Sequence, residues 1–183
     1  MSSGIAFVPL SIAVLTISDT RTPEDDRSGN TLVERISQAG HDLAARAIVP
    51  DDVEAIRAQV SGWIADPQVD VVITTGGTGF TGRDVTPEAV EPLFEKRMEG
   101  FSTVFHMVSF GKIGTSTLQS RATAGVANST YVFCLPGSPG ACRDGWDEIL
   151  VHQLDIRHKP CNFVEILPRL DEHLKRGKLR APA

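Results

Sequence analysis

Val71-Val72-Ile73-Thr74-Thr75-Gly76-Gly77-Thr78-Gly79-Phe80-Thr81-Gly82-Arg83-Asp84-Val85-Thr86-Pro87 decides the fold. An apolar run without polar alternation reads as a strand buried on both faces, here over 69–75. Glycines at the end of such a strand let the backbone turn sharply and aim N–H groups at an anion. Thr86 then reads as a helix N-cap, with Pro87 at the first helical position. Two familiar nucleotide motifs fail on spacing. G-x-G-x-x-G fits in form from Gly77 to Gly82, but Arg83, Asp84 and Val85 intervene before the helix. The P-loop pattern nearly fits too, with Arg83 in place of the lysine and Asp84 in place of the metal-binding hydroxyl.

Upstream, Ile12-Ala13-Val14-Leu15-Thr16-Ile17 is a second doubly buried run. A polar loop, 18–29, leads to helical spacing at Leu32, Val33, Ile36 and Ala39. Thr31 with Glu34 resembles a capping box there, and Gly40 a C-terminal stop. Residues 43–49 read as a more polar strand near an edge. Pro50-Asp51-Asp52 opens a helix striped by Ile56, Val60, Trp63 and Ile64, with Asp51 and Glu54 as its capping box.

Downstream, helical spacing runs from Leu93 through Phe101 and Phe105 to Val108, in two pieces broken near Gly100. Phe80, Phe94, Phe101, Phe105 and Phe110 are expected in the core. Residues 111–121 look irregular. Residues 122–126 and 130–135 read as a hairpin about Ala127-Asn128-Ser129. Ser138-Pro139 repeats the cap-plus-proline start, and Cys142, Trp146, Ile149 and Leu150 form that helix's buried face. The charged tail from Pro168, with Lys175, Arg176, Lys178 and Arg180, is expected to be mobile or packed on a neighbour. This order implies an α/β fold: three layers, α/β/α, with a mostly parallel central sheet and an antiparallel hairpin at one side.

Composition narrows the function. The 183 residues suit a single domain. Hydrophobic residues at 41% and charged residues at 22% are ordinary for a globular chain and exclude collagen-like or disordered classes. No run approaches the ~20 apolar residues of a membrane span. Met1 to Gly4 shows no basic-then-apolar leader, so a cytoplasmic protein without membrane partners is expected. A net charge of −5 disfavours nucleic-acid binding. Cys134, Cys142 and Cys161 are odd in number and far apart, which argues for reduced thiols over a disulfide framework. His106, His152 and His158 lack evident catalytic partners and read as structural.

In open α/β sheets, ligands bind beyond the carboxyl ends of the strands. Loops 18–29, 50–52, 75–84 and 136–140 should gather there. Asp84 can bind a hydrated Mg²⁺ or cap the following turn. Asp51 can cap its helix or share a metal with Asp84. Pro136-Gly137-Ser138 leads into a helix N-terminus that favours phosphate, or is a plain turn. Ser120-Arg121 suits an anion, or is a surface pair. Arg21, Arg83, Lys112, Arg121 and Arg143 are the cations available to an anionic ligand.

Taken together, Thr74-Thr75-Gly76-Gly77-Thr78-Gly79, Asp84-Val85-Thr86-Pro87-Glu88-Ala89, Leu135-Pro136-Gly137 and Ser18-Asp19 resemble the signature of the molybdopterin-binding MogA/MoaB family. The likeness runs over about 8–165. Gly114-Thr115-Ser116-Thr117-Leu118-Gln119-Ser120-Arg121 and Lys159-Pro160-Cys161-Asn162-Phe163 are similar to its MoaB branch. The resemblance implies molybdenum-cofactor biosynthesis, with transfer of AMP from Mg-ATP to the terminal phosphate of molybdopterin and release of pyrophosphate. It implies catalytic, Mg²⁺-binding roles for Asp51 and Asp84. Substrate and nucleotide would be held by Ser18, Asp19, Thr75, Gly76, Gly77, Thr78, Gly79, Arg83, Ser120, Arg121, Pro136, Gly137 and Ser138. It also implies a homo-oligomer, a trimer or hexamer, and partners within the same pathway. The segment before Ser120 is one residue longer than in the adenylyl-transferring branch. Two roles therefore stay open: a transferase, favoured by Asp51 and the 84–87 run, or a non-catalytic molybdopterin carrier or oligomeric scaffold.

Overall fold

Strand β1 (Ser11–Ile17) has a core on each of its faces. Ile12 and Val14 pack with Leu32, Ile36, Phe105 and Leu150 on one side. Ala13, Leu15 and Ile17 pack with Ile56, Val60, Ala89 and Val90 on the other. Both faces are covered, which is why the run shows no polar alternation. The computed structural model describes residues 4–174, so Lys175, Arg176, Lys178 and Arg180, and the expected mobility of that part of the tail, lie outside the described residues.

The sheet has six strands in the order β2-β1-β3-β6-β5-β4. β1, β2 (Asp42–Val49), β3 (Val71–Thr75) and β6 (Thr130–Leu135) run parallel. β5 (Thr123–Ala127) and β4 (Lys96–Arg97) complete it antiparallel. The expected layering and hairpin are therefore present, and β2 is an edge strand. The chain leaves β1 through α1 (Arg27–Gln38) on one face and returns from β2 through α2 (Val53–Ala65) on the other. The order thus reverses between β1 and β3, and a crevice opens beyond their carboxyl ends, where α/β sheets bind ligands.

Several boundaries differ from the expectation. α1 is capped by Asp26, whose carboxylate accepts from the Gly29 amide at 2.9 Å, not by Thr31. Thr31 lies inside the helix and bonds the Arg27 carbonyl. α2 is capped by Asp52, which accepts from the Ala55 amide at 2.8 Å, and this releases Asp51 from capping. Thr86 is not an N-cap but the first residue of α3 (Thr86–Val90). β3 is two residues shorter than expected: the Val69 amide donates to the Asp66 carbonyl at 3.1 Å and closes a turn, and the Asp70 carboxylate accepts from the Ser11 amide.

The helical stretch breaks before Gly100. A 3₁₀ turn, Glu91–Leu93, leads into β4, which pairs with β5 as the last strand of the sheet. Gly100 lies in the first turn of α4 (Glu99–Ile113), and a 3₁₀ segment, Gly114–Gln119, follows. The hairpin turns on two residues, Asn128 (φ 46°) and Ser129 (φ 64°), as a type I′ turn requires. α5 (Pro139–Gly145) starts at the expected Ser138 cap. Cys142, Trp146 and Leu150 are buried as anticipated. Of the five phenylalanines expected in the core, Phe101 and Phe105 are buried and Phe94 is half-buried. Phe80 (70% exposed) and Phe110 (59%) are not in it: one sits in the glycine turn, the other on the outer side of α4. Cys134 and Cys142 are buried free thiols and Cys161 is exposed and free. Among the described residues, no helix is long and apolar enough to cross a membrane.

Candidate functional site

All four expected loops meet in one cleft of about 470 Å³ at the reversal point of the sheet. Its wall includes Ser18 and Arg21 after β1, Asp51 after β2, Thr75 to Gly79 and Asp84 after β3, and Pro136 to Ser138 after β6. The turn after β3 needs its glycines. Gly76 (φ +108°) and Gly77 (φ +65°) occupy backbone conformations that side chains rarely adopt. A Cβ at Gly76 would also run into the Ile17 carbonyl of β1. Three bonds hold the turn down. The Gly76 amide donates to the Leu135 carbonyl at 3.0 Å, the Thr86 amide to the Gly77 carbonyl at 2.9 Å, and the Thr86 hydroxyl to the Gly76 carbonyl at 2.8 Å. Among the described residues, the Gly77 and Thr78 amides have no acceptor. They are therefore available to an anion in the cleft.

Two carboxylates border this turn. A Cβ placed on Gly77 would lie 3.1 Å from Asp51 Oδ1, and one on Gly79 would lie 2.6 Å from Asp84 Oδ2. Asp51 and Asp84 thus abut the same loop two residues apart. Burial pushes the Asp51 carboxyl above its usual range, and the charges of Asp19 and Asp84 add to that, against the Asp19 amide and the Arg83 charge. Burial pushes Asp84 up as well, but hydrogen bonds from Thr81 and the Gly79 amide, with the Arg121 charge, outweigh it and hold Asp84 below the ordinary range. The Thr81 amide and hydroxyl donate to Asp84 Oδ2 at 2.9 and 2.7 Å, so Asp84 also closes the 81–84 turn. Among the described residues, no group of three or more His, Cys, Asp or Glu is arranged to hold a metal. Two carboxylates in a polar cleft still fit Mg²⁺, which takes one or two protein ligands and completes its shell with water and phosphate.

The remaining predicted residues divide. Ser18 shapes the first loop, its hydroxyl accepting from the Thr20 and Arg21 amides. Asp19 accepts a bidentate pair from Arg83 at 2.9 and 2.7 Å and also the Asp51 amide, which ties three loops together at the mouth. Arg83 first, and then the Asp51 amide, hold the Asp19 carboxyl below its usual range. Thr75 donates to the Pro136 carbonyl, and Ser138 caps α5 by accepting from the Ala141 amide. Ser120 and Arg121 do not line this cleft. They line a neighbouring one of about 580 Å³, bordered also by Glu88 and His106. Lys112 pairs with Glu148. Of the five cations proposed, Arg21 alone lines the cleft of about 470 Å³. Gln119 lines it as well, a residue the sequence does not single out because its segment carries no periodic signal.

Comparison with known proteins identifies the family. A family model described as "Probable molybdopterin binding domain" matches residues 13–156. Molybdenum cofactor biosynthesis protein B of Escherichia coli (strain K12) is 55% identical over 157 residues, 86% of this chain and 92% of that protein. A crystal structure of a molybdenum cofactor biosynthesis protein B superposes with a TM-score of 0.79 at 38% identity, over 94% of this chain and 99% of that one. The tungsten cofactor synthesizing protein MoaB from Pyrococcus furiosus does so at 0.69 and 36%, over 78% and 91%. On the family model and these likenesses, the chain belongs to the MogA/MoaB molybdopterin-binding family.

Proposed function

We propose that this protein acts in molybdenum-cofactor biosynthesis as a cytoplasmic molybdopterin adenylyltransferase that uses Mg-ATP. The observation that carries this reading is the placement of Asp51 and Asp84 against one glycine turn whose Gly77 and Thr78 amides have no acceptor among the described residues. The names of the similar proteins support the pathway. A terminal phosphate oxygen of molybdopterin attacks the α-phosphorus of ATP, and the bond to the bridging oxygen breaks as pyrophosphate leaves. That oxygen is anionic at neutral pH, so no strong general base is required. The chain has to bring two anions together and stabilise charge on the five-coordinate phosphorus. The free turn amides and Arg21 serve to hold phosphate oxygens. Mg²⁺ would be held by Asp51 and Asp84 and would offset charge on the reacting phosphate and the leaving pyrophosphate. Burial first, and then the charges of Asp19 and Asp84, raise the Asp51 carboxyl, and a bound cation would offset the cost of keeping it ionised there.

The test is anaerobic incubation of the purified chain with molybdopterin and Mg-ATP. The expected result is adenylated molybdopterin and pyrophosphate in equal amounts. Tight pterin binding without either product would replace the transferase with the carrier, and no pterin binding would leave only a scaffold.

We also infer a homo-oligomer, a trimer or hexamer. Met107, Phe110, Ile113 and Leu118 expose apolar side chains from α4 and the segment after it, which a water-exposed surface does not favour. Light scattering on a sizing column is expected to give three or six times the chain mass; a monomer would remove this inference.

A further inference from the structure

Arg121 stands just outside the cleft, with its side chain about one quarter exposed. Its backbone amide donates to the Thr78 carbonyl at 2.8 Å. Its Nε donates to the Gly79 carbonyl at 2.8 Å, and its Nη2 to the Asp84 carbonyl at 2.9 Å. Its Nη1 pairs with Glu88, and its guanidinium lies 5.4 Å from the Phe80 ring centroid. These contacts grip the turn at both ends: Thr78 and Gly79 where it leaves the strand, Asp84 where it enters the helix. The arginine comes from a segment some forty residues downstream, so the 79–84 turn is closed by a tertiary contact as well as by its own Thr81–Asp84 bonds.

We infer that Arg121 is a positioning residue that clamps the 79–84 turn from behind and so fixes the Asp84 carboxylate, rather than a cation that binds the anionic ligand. A rigid planar fork is suited to this task. One guanidinium reaches two carbonyls and a carboxylate at once, which a lysine ammonium on a flexible stem cannot reproduce. Glu88 anchors the far side of the fork. The kinetic part of this inference rests on the adenylyl-transfer reading; the clamp itself does not.

The experiment uses the full chain and its Arg121→Lys and Arg121→Met variants, with two readouts. Amide hydrogen exchange across 78–85 is expected to speed up at least about tenfold in both variants, while β3 and β6 stay protected. Molybdopterin affinity, by fluorescence titration, is expected to stay within about threefold, because the side chain faces the other cleft. Where wild type turns over, kcat is expected to fall about 10- to 100-fold, as on loss of a residue that orients a ligand-binding one. Adding Arg121→Lys to Asp84→Asn is then expected to cost almost nothing more, since the arginine acts through that carboxylate. Unchanged exchange across 78–85 in both variants overturns the clamp. So does a tenfold loss of pterin affinity with an unchanged turn, which would make Arg121 a ligand contact. An inactive wild type would remove the transferase proposal and leave the exchange and binding results to decide the clamp.

Discussion

Asp84→Asn is expected to lower adenylyl transfer on the order of 10³-fold while leaving the fold intact, by the scale of losing one preorganised charge-stabilising group. The reasoning separates two duties of one side chain. Asp84 Oδ2 accepts from the Thr81 amide and hydroxyl, and an asparagine carbonyl can keep that role. It cannot keep the negative charge a cation requires. Asp84→Ala would remove both duties and confuse a collapsed turn with lost chemistry. Asp51→Asn is the complementary variant. Asp51 does not cap α2, since Asp52 does, and its own charge is opposed by burial and by Asp19 and Asp84. Neutralising it is expected to lose activity to a similar degree yet raise stability by about 0.5 kcal/mol, roughly 1–2 °C. The pH dependence follows from the two shifts. On the proposed Mg²⁺ role both carboxylates act ionised; Asp51, raised, takes up a proton first as pH falls, so it is expected to set the acid limb of kcat/KM. Turnover by either variant at wild-type rate, with measured metal dependence unchanged, would reduce that carboxylate to a structural group.

The sequence made the cleft legible because the strands that aim into it are buried on both faces. β1 and β3 announce themselves as unbroken apolar runs, and strand direction then places the loops at one edge. What the sequence did not reveal depends on partners far along the chain. Thr86 looks like a cap locally, yet its hydroxyl is drawn to the Gly76 carbonyl by the turn it stitches. Arg121 reads as a ligand cation until the Gly79 and Asp84 carbonyls are seen to occupy it. β4 is two residues long and exists only because β5 offers it an edge, and no periodicity can reveal that. Phe110 carries a core residue's chemistry, but which side of an apolar helix lacks a neighbour is a property of packing.

Asp26 is a residue whose structural role is hard to read from the chain, yet it joins three elements of the fold. It lies in a polar loop among other charges, yet its side chain is fully buried. Its carboxylate accepts from the Thr16 hydroxyl at 2.7 Å, the Gly29 amide at 2.9 Å and Arg46 at 2.8 Å, joining β1, α1 and β2. A Cβ on Gly29 would collide with it, so the helix start is shaped around this group. Removing one partner of such a network strands the others. Asp26→Ala is expected to cost about 3 kcal/mol, a fall in Tm on the order of 10 °C, because a buried hydroxyl and amide lose their acceptor and Arg46 loses its counter-charge. Burial pushes the Asp26 carboxyl up, but Arg46, Thr16 and the Gly29 amide outweigh it and hold it below its usual range. A carboxyl depressed in the folded state adds stability above its unfolded pKa, about 3.9, and loses it as pH falls through the lower folded value. Asp26→Asn keeps the shape and discards the charge. Its deficit against wild type in urea melts is therefore expected to be full at pH 7 and to shrink towards pH 3. A constant deficit across that range would assign the effect to lost packing and hydrogen bonding, and equal midpoints at pH 7 would mean that the ion pair with Arg46 contributes no net stability.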